Sequence, residues 1–194
     1  MLKKILILSS LCVFITGCAI APLSNNFTGR SLGKKGVEIE GGAVIAGTAI
    51  PSFKFSYGVS SDFDLGIHYD SYCIGLFGKY SIINNNEGFA TAGLFGGGAT
   101  VNGYYLYAGP VLSFKTGFFE PYFVGRFNYV HYDEFESDFD IEAGNYSYLQ
   151  LTGGSVFWIS KKIGLNVEVS AFTGATGAGE IVTPIFLGGL RLRF

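Results

Sequence analysis

Residues 185–194 read Ile185-Phe186-Leu187-Gly188-Gly189-Leu190-Arg191-Leu192-Arg193-Phe194. Phe186, Gly188, Leu190, Leu192 and Phe194 share one parity, while Leu187, Gly189, Arg191 and Arg193 share the other. A period of two belongs to a strand whose successive side chains face opposite sides of a sheet, here one apolar side and one bearing arginines. The rhythm runs back through the chain. Phe53, Phe55 and Tyr57 flank Lys54 and Ser56; Phe63, Leu65, Ile67 and Tyr69 flank Asp64, Gly66 and His68; Leu165, Val167, Val169 and Ala171 flank Asn166, Glu168 and Ser170. Runs of this kind, separated by Gly, Asn, Ser, Asp or Lys, predict ten strands of an antiparallel meander near 36–46, 51–58, 63–70, 72–81, 88–97, 104–114, 121–132, 145–158, 163–172 and 182–194. Eight strands is the alternative count.

The 194 residues are 48% hydrophobic, 16% aromatic and 14% charged, with 29 Gly and 12 Tyr, which fits one β-rich domain and excludes a disordered chain. Mean hydropathy is +0.36, high for a soluble domain. Yet after residue 17 no uninterrupted apolar stretch reaches the ~18 residues of a spanning helix. Apolar character spread over alternating strands is the pattern of an all-β, closed, up-and-down transmembrane barrel, with its apolar parity toward lipid. Aromatics near strand ends predict two interfacial belts: Tyr57, Phe63, Tyr80, Phe89, Phe114, Phe118, Phe119, Tyr122, Trp158 and Phe194 on one side, Tyr69, Tyr72, Tyr104, Tyr105, Tyr132, Tyr146 and Tyr148 on the other. Connection lengths agree. The turns at Ser60-Ser61-Asp62, Asn84-Asn85-Asn86-Glu87, Thr116-Gly117 and Ser160-Lys161-Lys162 are compact, and the longest linker, 133–144, lies opposite them.

The run ending in Leu190, Leu192 and Phe194 resembles the C-terminal assembly signal of outer-membrane barrels, an alternating strand with a terminal aromatic. The whole pattern resembles the small outer-membrane barrel superfamily that includes OmpA-like and OmpX-like domains. The resemblance implies an outer-membrane location and handling by the barrel-assembly machinery.

At the other end, Lys3 and Lys4 precede an apolar run from Ile5 to Thr16, too short to span a bilayer, which is the form of an export signal. Ile15-Thr16-Gly17-Cys18 follows at once and resembles the lipobox of bacterial lipoproteins. That resemblance implies processing by the lipoprotein export machinery, cleavage before Cys18 and acylation of its sulfur, with palmitate among the acyl chains. Ala19, where some lipoproteins carry Asp, resembles a signal for transport to the outer membrane. The alternative is cleavage after Ala19-Ile20-Ala21, which Pro22 just beyond disfavours.

The expected organisation is a signal peptide at 1–17, acylated Cys18 with a flexible, unstructured tether over 18–35, and a barrel over 36–194. With an even strand number both barrel ends lie on one side, so the lipid is expected in the inner leaflet, next to them. Cys73 is the one cysteine left once Cys12 departs with the signal and Cys18 is acylated. Loss of Lys3 and Lys4 takes the formal charge from −2 to −4, which excludes a generally basic, nucleic-acid-binding surface.

Assigning the polar parity to the lumen collects Glu38, Glu40, Lys54, Asp64, His68, Lys79, Arg126, Glu168, Arg191 and Arg193. Closing strand one on strand ten brings Glu38 and Glu40 to Arg193 and Arg191. Paired charges of both signs predict a filled interior. Residues 133–142 hold Asp133, Glu134, Glu136, Asp138, Asp140 and Glu142, an acidic loop that offers a contact for Ca²⁺ or a cationic partner, although EF-hand spacing is absent. His68 with Ser71 is the one candidate catalytic pair, and a hydrogen-bonded lumenal His is the expectation for it. Gly96, Gly97 and Gly98 are followed by no Lys-Ser/Thr and form no phosphate loop, and no cofactor or metal motif is present. Pro110 predicts a bulge beside Gly109. The expected role is structural or surface-interacting, through loops and lipid; a lipid-modifying enzyme, a small channel and a lipid-anchored periplasmic ligand-binding barrel stay open.

Overall fold

The computed structural model describes residues 21–46, 48–70, 73–133, 143–176 and 182–194. They form ten strands: β1 Val37–Ala46, β2 Thr48–Gly58, β3 Phe63–Asp70, β4 Cys73–Asn84, β5 Gly88–Thr100, β6 Gly103–Lys115, β7 Phe119–Tyr132, β8 Gly144–Trp158, β9 Ile163–Thr176 and β10 Val182–Arg193. Each pairs antiparallel with its sequence neighbours, and β1 pairs with β10 to close the barrel. Several strands run past the expected ends, β5 through Gly98 to Thr100 and β9 as far as Thr176, because paired backbone continues through residues whose composition reads as turn. The seam is anchored at its end, where Phe194 N donates to Val37 O at 2.8 Å and Val37 N to Phe194 O at 3.1 Å.

One rim carries both ends of the barrel and the connections 59–62, 85–87, 116–118 and 159–162; it is called the turn side. The opposite rim, the loop side, carries the connections between Tyr132 and Gly144 and between Thr176 and Val182.

Every Asp, Glu, Lys and Arg within the ten strands occupies an inward position. Outward positions carry residues such as Phe53, Ile67, Leu76, Phe95, Phe127 and Phe186, all exposed. An apolar hull continuous around a barrel far exceeds the few hundred Å² that a soluble monomer leaves in water, so the solvent that suits it is lipid.

Parity corrects part of the aromatic belts. Tyr57, Tyr80, Phe89, Phe114, Phe118 and Phe194 near the turn side and Tyr69 and Tyr104 near the loop side are exposed, as a belt requires. Tyr105, Tyr122, Tyr132, Tyr148 and Trp158 are instead buried in the lumen, because their positions share the inward parity of Arg126 and Glu168. Inward glycines make room for lumenal rings, that of buried Tyr107 among them. A Cβ at Gly96 would fall 2.5 Å from Tyr107 Oη, and one at Gly98 would fall 2.7 Å from Tyr105 Oη.

The bulge expected at Pro110 does not form. Gly93 pairs with Pro110 and Leu94 with Gly109, while on the other edge the β6–β7 ladder omits Gly109 and Pro110 and resumes in the same register, Ala108 opposite Phe127 and Val111 opposite Val124. The missing proline donor is accommodated by omitted pairs, with no extra residue inserted. Register shifts occur elsewhere, at Ser81/Ile83, Ser147/Tyr148 and Val182/Ile185.

Candidate functional site

Eight strands enclose an interior that side chains alone can fill; ten enclose a backbone cylinder about 20 Å across, which is wider than that. The excess is occupied by the chain itself. Residues 21–23 and 25–30 are buried inside the barrel and Ser24 is half-buried, so the segment expected as a flexible, unstructured tether is a thread through the lumen. Its backbone polar groups, which make no ladder, are bonded by lumenal side chains, and such satisfaction is what allows irregular backbone at membrane depth.

The contacts follow in order along the axis. On the loop side, Ala21 N donates to Tyr148 Oη at 2.7 Å, Leu23 N donates to Asp70 Oδ2 at 2.9 Å, and Arg126 donates to Pro22 O and Gln150. At mid-height Asn25 N donates to Glu168 Oε1 at 3.0 Å, and Asn25 Nδ2 donates to Thr152 Oγ1 at 2.6 Å. Asn26 O accepts from Lys54 and from Arg191 Nη2, the latter at 2.7 Å. Phe27 packs edge-on against Phe77 with centroids 4.9 Å apart and lies under the Lys54 ammonium. Toward the turn side, Lys79 Nζ donates to Thr28 O at 3.1 Å, and Gly29 bonds to Ser113 and Ser81. Arg30 then donates to Glu120 at 2.6 Å, Ser113 Oγ at 3.0 Å, Asn85 O at 2.7 Å and Gly88 O. The thread leaves the barrel through a turn in which Gly36 N bonds to Gly33 O at 3.0 Å and Gly33 adopts φ 76°, a left-handed conformation suited to glycine.

The lumenal charges stand where the alternation places them. Glu38, Glu40, Lys54, Asp64, Lys79, Arg126, Glu168 and Arg191 are buried, and Arg193 lies at the turn-side mouth, stacked over Trp158. Glu38 is opposite Arg193 and Glu40 opposite Arg191 across the seam. The ion pairs are Arg193–Glu38 at 2.7 Å, Arg191–Glu40 at 3.0 Å, Lys54–Glu40 at 3.1 Å and Lys79–Asp64 at 3.2 Å. Glu168 accepts from Tyr122 Oη at 2.9 Å. Among the described residues Arg126 is the one buried cation with no carboxylate partner, and its guanidinium lies 4.6 Å over the Tyr107 ring.

Arg191→Ala removes a group that bridges Glu40, Glu38 and Asn26 O. Since Lys54 remains on Glu40 and Arg193 on Glu38, the expected cost is about 3 kcal/mol, the lower end for a broken buried pair. A heat-modifiability assay, in which folded barrel migrates apart from unfolded chain, should show melting at a clearly lower temperature.

His68 is a hydrogen-bonded lumenal residue: Nε2 lies 2.6 Å from Tyr105 Oη, and the ring is surrounded by Phe77, Tyr105 and Tyr107. Ser71, its candidate partner, lies outside the described residues, as do Cys18 and Glu134, Glu136, Asp138, Asp140 and Glu142 of the acidic loop. Asp133 is exposed at the loop-side rim, 3.3 Å from His131 Nε2. Among the described residues no three His, Cys, Asp or Glu side chains converge as metal ligands. Leu190 and Phe194 of the C-terminal run point outward on the hull and are exposed, and Leu192 shares their parity, partly covered.

Sequence reading missed Glu120, because Pro121 reads as a strand start, and missed the whole thread. One signal was available. With Asp70 and Glu120 counted, and with Lys115 set aside because Glu87 pairs with it at the turn-side rim, the inward positions hold Glu38, Glu40, Asp64, Asp70, Glu120 and Glu168 against Lys54, Lys79, Arg126, Arg191 and Arg193, a deficit of one cation that Arg30 fills.

Hull and lumen together define the class: a membrane-spanning, closed antiparallel β-barrel whose lumen is occupied by its own N-terminal segment. No protein-family model and no curated protein matches the chain. It is similar to the N-terminal β-barrel domain of Pseudomonas aeruginosa OprF, at 13% identity and TM-score 0.47, over 84% of this chain and 99% of that one. It is also similar to the outer membrane protein OprG of Pseudomonas aeruginosa, at 11% identity and TM-score 0.38, over 84% and 99% of the two chains. Ail, the attachment invasion locus protein of Yersinia pestis, is similar at 12% identity and TM-score 0.37, over 83% and 99%.

Proposed function

We propose that this chain is an exported lipoprotein of the outer membrane, cleaved before and acylated at Cys18, whose barrel has a structural or surface-interaction role and does not conduct. The observation that carries the non-conducting reading is the thread: residues 21–32 and the ion pairs around them occupy the section through which solute would pass. The cavity left beside Asn26, Phe27, Lys54 and Asp64 is about 10 Å³, room for one water. With the interior closed, contact with partners falls to the loop-side rim, where Asp133 begins the acidic loop and where a cation or a basic partner would meet it. Outer-membrane placement is supported by the charge-free hull and by the terminal strand ending on Phe194; acylation is supported by Ile15-Thr16-Gly17-Cys18 straight after the export signal.

Full-length protein in a planar bilayer is expected to give no discrete conductance steps, and steps from the intact chain would favour the channel reading. Carbonate and urea extraction of membranes carrying Cys18→Ala tests the embedded barrel: retention supports it, while release makes the lipid the sole anchor. The mass of the N-terminal peptide reports acylation independently of both.

A further inference from the structure

The thread has a direction, and that direction decides on which side the mature chain begins. Leu23 N bonds to Asp70, the last residue of β3 at the loop-side rim, whereas Arg30 bonds to Gly88 O and Asn85 O at the turn side. The chain therefore enters the lumen from the loop side and leaves it at the turn side, where it reverses into β1. Twelve residues, 21–32, can reach about 40 Å, enough to pass a wall of 8–15-residue strands that, tilted by ~40°, stands about 20–38 Å tall.

Cys18 precedes Ala21 by three residues, a reach of about 10 Å at most. No conformation of so short a segment returns Cys18 to the turn-side rim. The wall is lowest where the thread meets it: β3 has eight residues, fewer than any other strand described, and the five residues from Leu23 back to Cys18 reach about 17 Å, enough to cross the β3–β4 edge. The outer surface below that edge presents exposed Tyr69, Ile74 and Leu76, an apolar landing for acyl chains.

We propose that the Cys18 acyl anchor lies at the loop-side rim and enters the leaflet on that side, the outer leaflet, beside the β3–β4 hairpin. The chain then runs from lipid, down through the lumen, into its own barrel. This rests on the lipoprotein reading above and reverses the inner-leaflet position that an even strand count alone suggests. The even count places the two ends of the barrel together; the thread carries the chain's beginning to the other side.

The test uses full-length protein in intact cells. An epitope is inserted between Ala19 and Ile20, and in a separate variant exposed Lys34, at the turn side, becomes Lys34→Cys. The wild-type chain, whose Cys73 is buried, sets the labelling background. Expected are antibody staining of intact cells equal to that after outer-membrane permeabilisation, and impermeant-maleimide labelling of Lys34→Cys that rises at least tenfold on permeabilisation. Any other accessibility pattern, in variants that keep the folded band on a gel, overturns the orientation. An N-terminal peptide without acyl mass overturns the lipid anchor, and with it the lipoprotein reading, while the accessibility result still decides the direction of the thread.

Discussion

Arg30→Ala is expected to destabilise the barrel by about 3–5 kcal/mol, the range for a buried ion pair that loses one partner. Arg30 is 5% exposed and Glu120 0%, and among the described residues Arg30 supplies the one cation within 4 Å of Glu120, whose carboxylate also accepts from Trp158 Nε1 at 2.9 Å. Truncating the arginine strands Glu120 as a buried charge and leaves Asn85 O, Gly88 O and Ser113 without this donor. The measurement is the melting temperature of the heat-modifiable folded band, or the urea midpoint in detergent. Glu120→Gln added to Arg30→Ala should recover more than half of the loss, because a neutral amide has less solvation to forfeit. An arginine in a solvated tether would change stability by no more than about 0.5 kcal/mol, so the size of the effect separates thread from tether.

The second large effect is opening of the pore. A variant exported by an unacylated signal peptide and lacking residues 18–32 should give discrete conductance steps in planar bilayers where the intact chain gives none. Stability should fall less than the number of lost contacts suggests. Water enters the emptied lumen and rehydrates Glu120, Glu168 and the other lumenal charges, whereas in Arg30→Ala the rest of the thread still excludes it. Apart from the Lys115–Glu87 pair at the rim, loss of Arg30 leaves six lumenal carboxylates against five cations among the described residues, which predicts weak cation selectivity. A thread-less barrel that folds but stays silent would mean that side chains alone close the lumen.

Much of this architecture was legible without coordinates, for a specific reason. In a barrel immersed in lipid each strand has two faces in opposite solvents, so Lys54, Asp64, Lys79 and Glu168 announce which parity is inward, and every neighbour follows by alternation. The seam was legible too, since closing an even meander sets Glu38 beside Arg193 and Glu40 beside Arg191, as the register shows. Parity was misapplied where residue type was trusted over position. Tyr105, Tyr122, Tyr148 and Trp158 have the amphipathic character of a membrane belt, yet their parity turns them inward, Tyr105 beside Gly98, Tyr122 beside Gly154 and Trp158 beside Gly164.

By itself the sequence favoured ten strands over eight and determined inward and outward faces, the near balance of signs in the interior and pairing at the seam, because a two-residue period and the cost of charge in lipid act locally. Only the tertiary structure decided the fate of residues 21–32. That stretch has no period, and Asn25, Asn26 and Thr28 have the composition of a linker. What orders it are partners far away in the chain, Tyr148, Glu168 and Arg191 among them, brought together by closure of a ten-strand cylinder too wide for side chains to fill. The interior was expected to be full; that the chain's own beginning fills it, and in which direction, comes from that width.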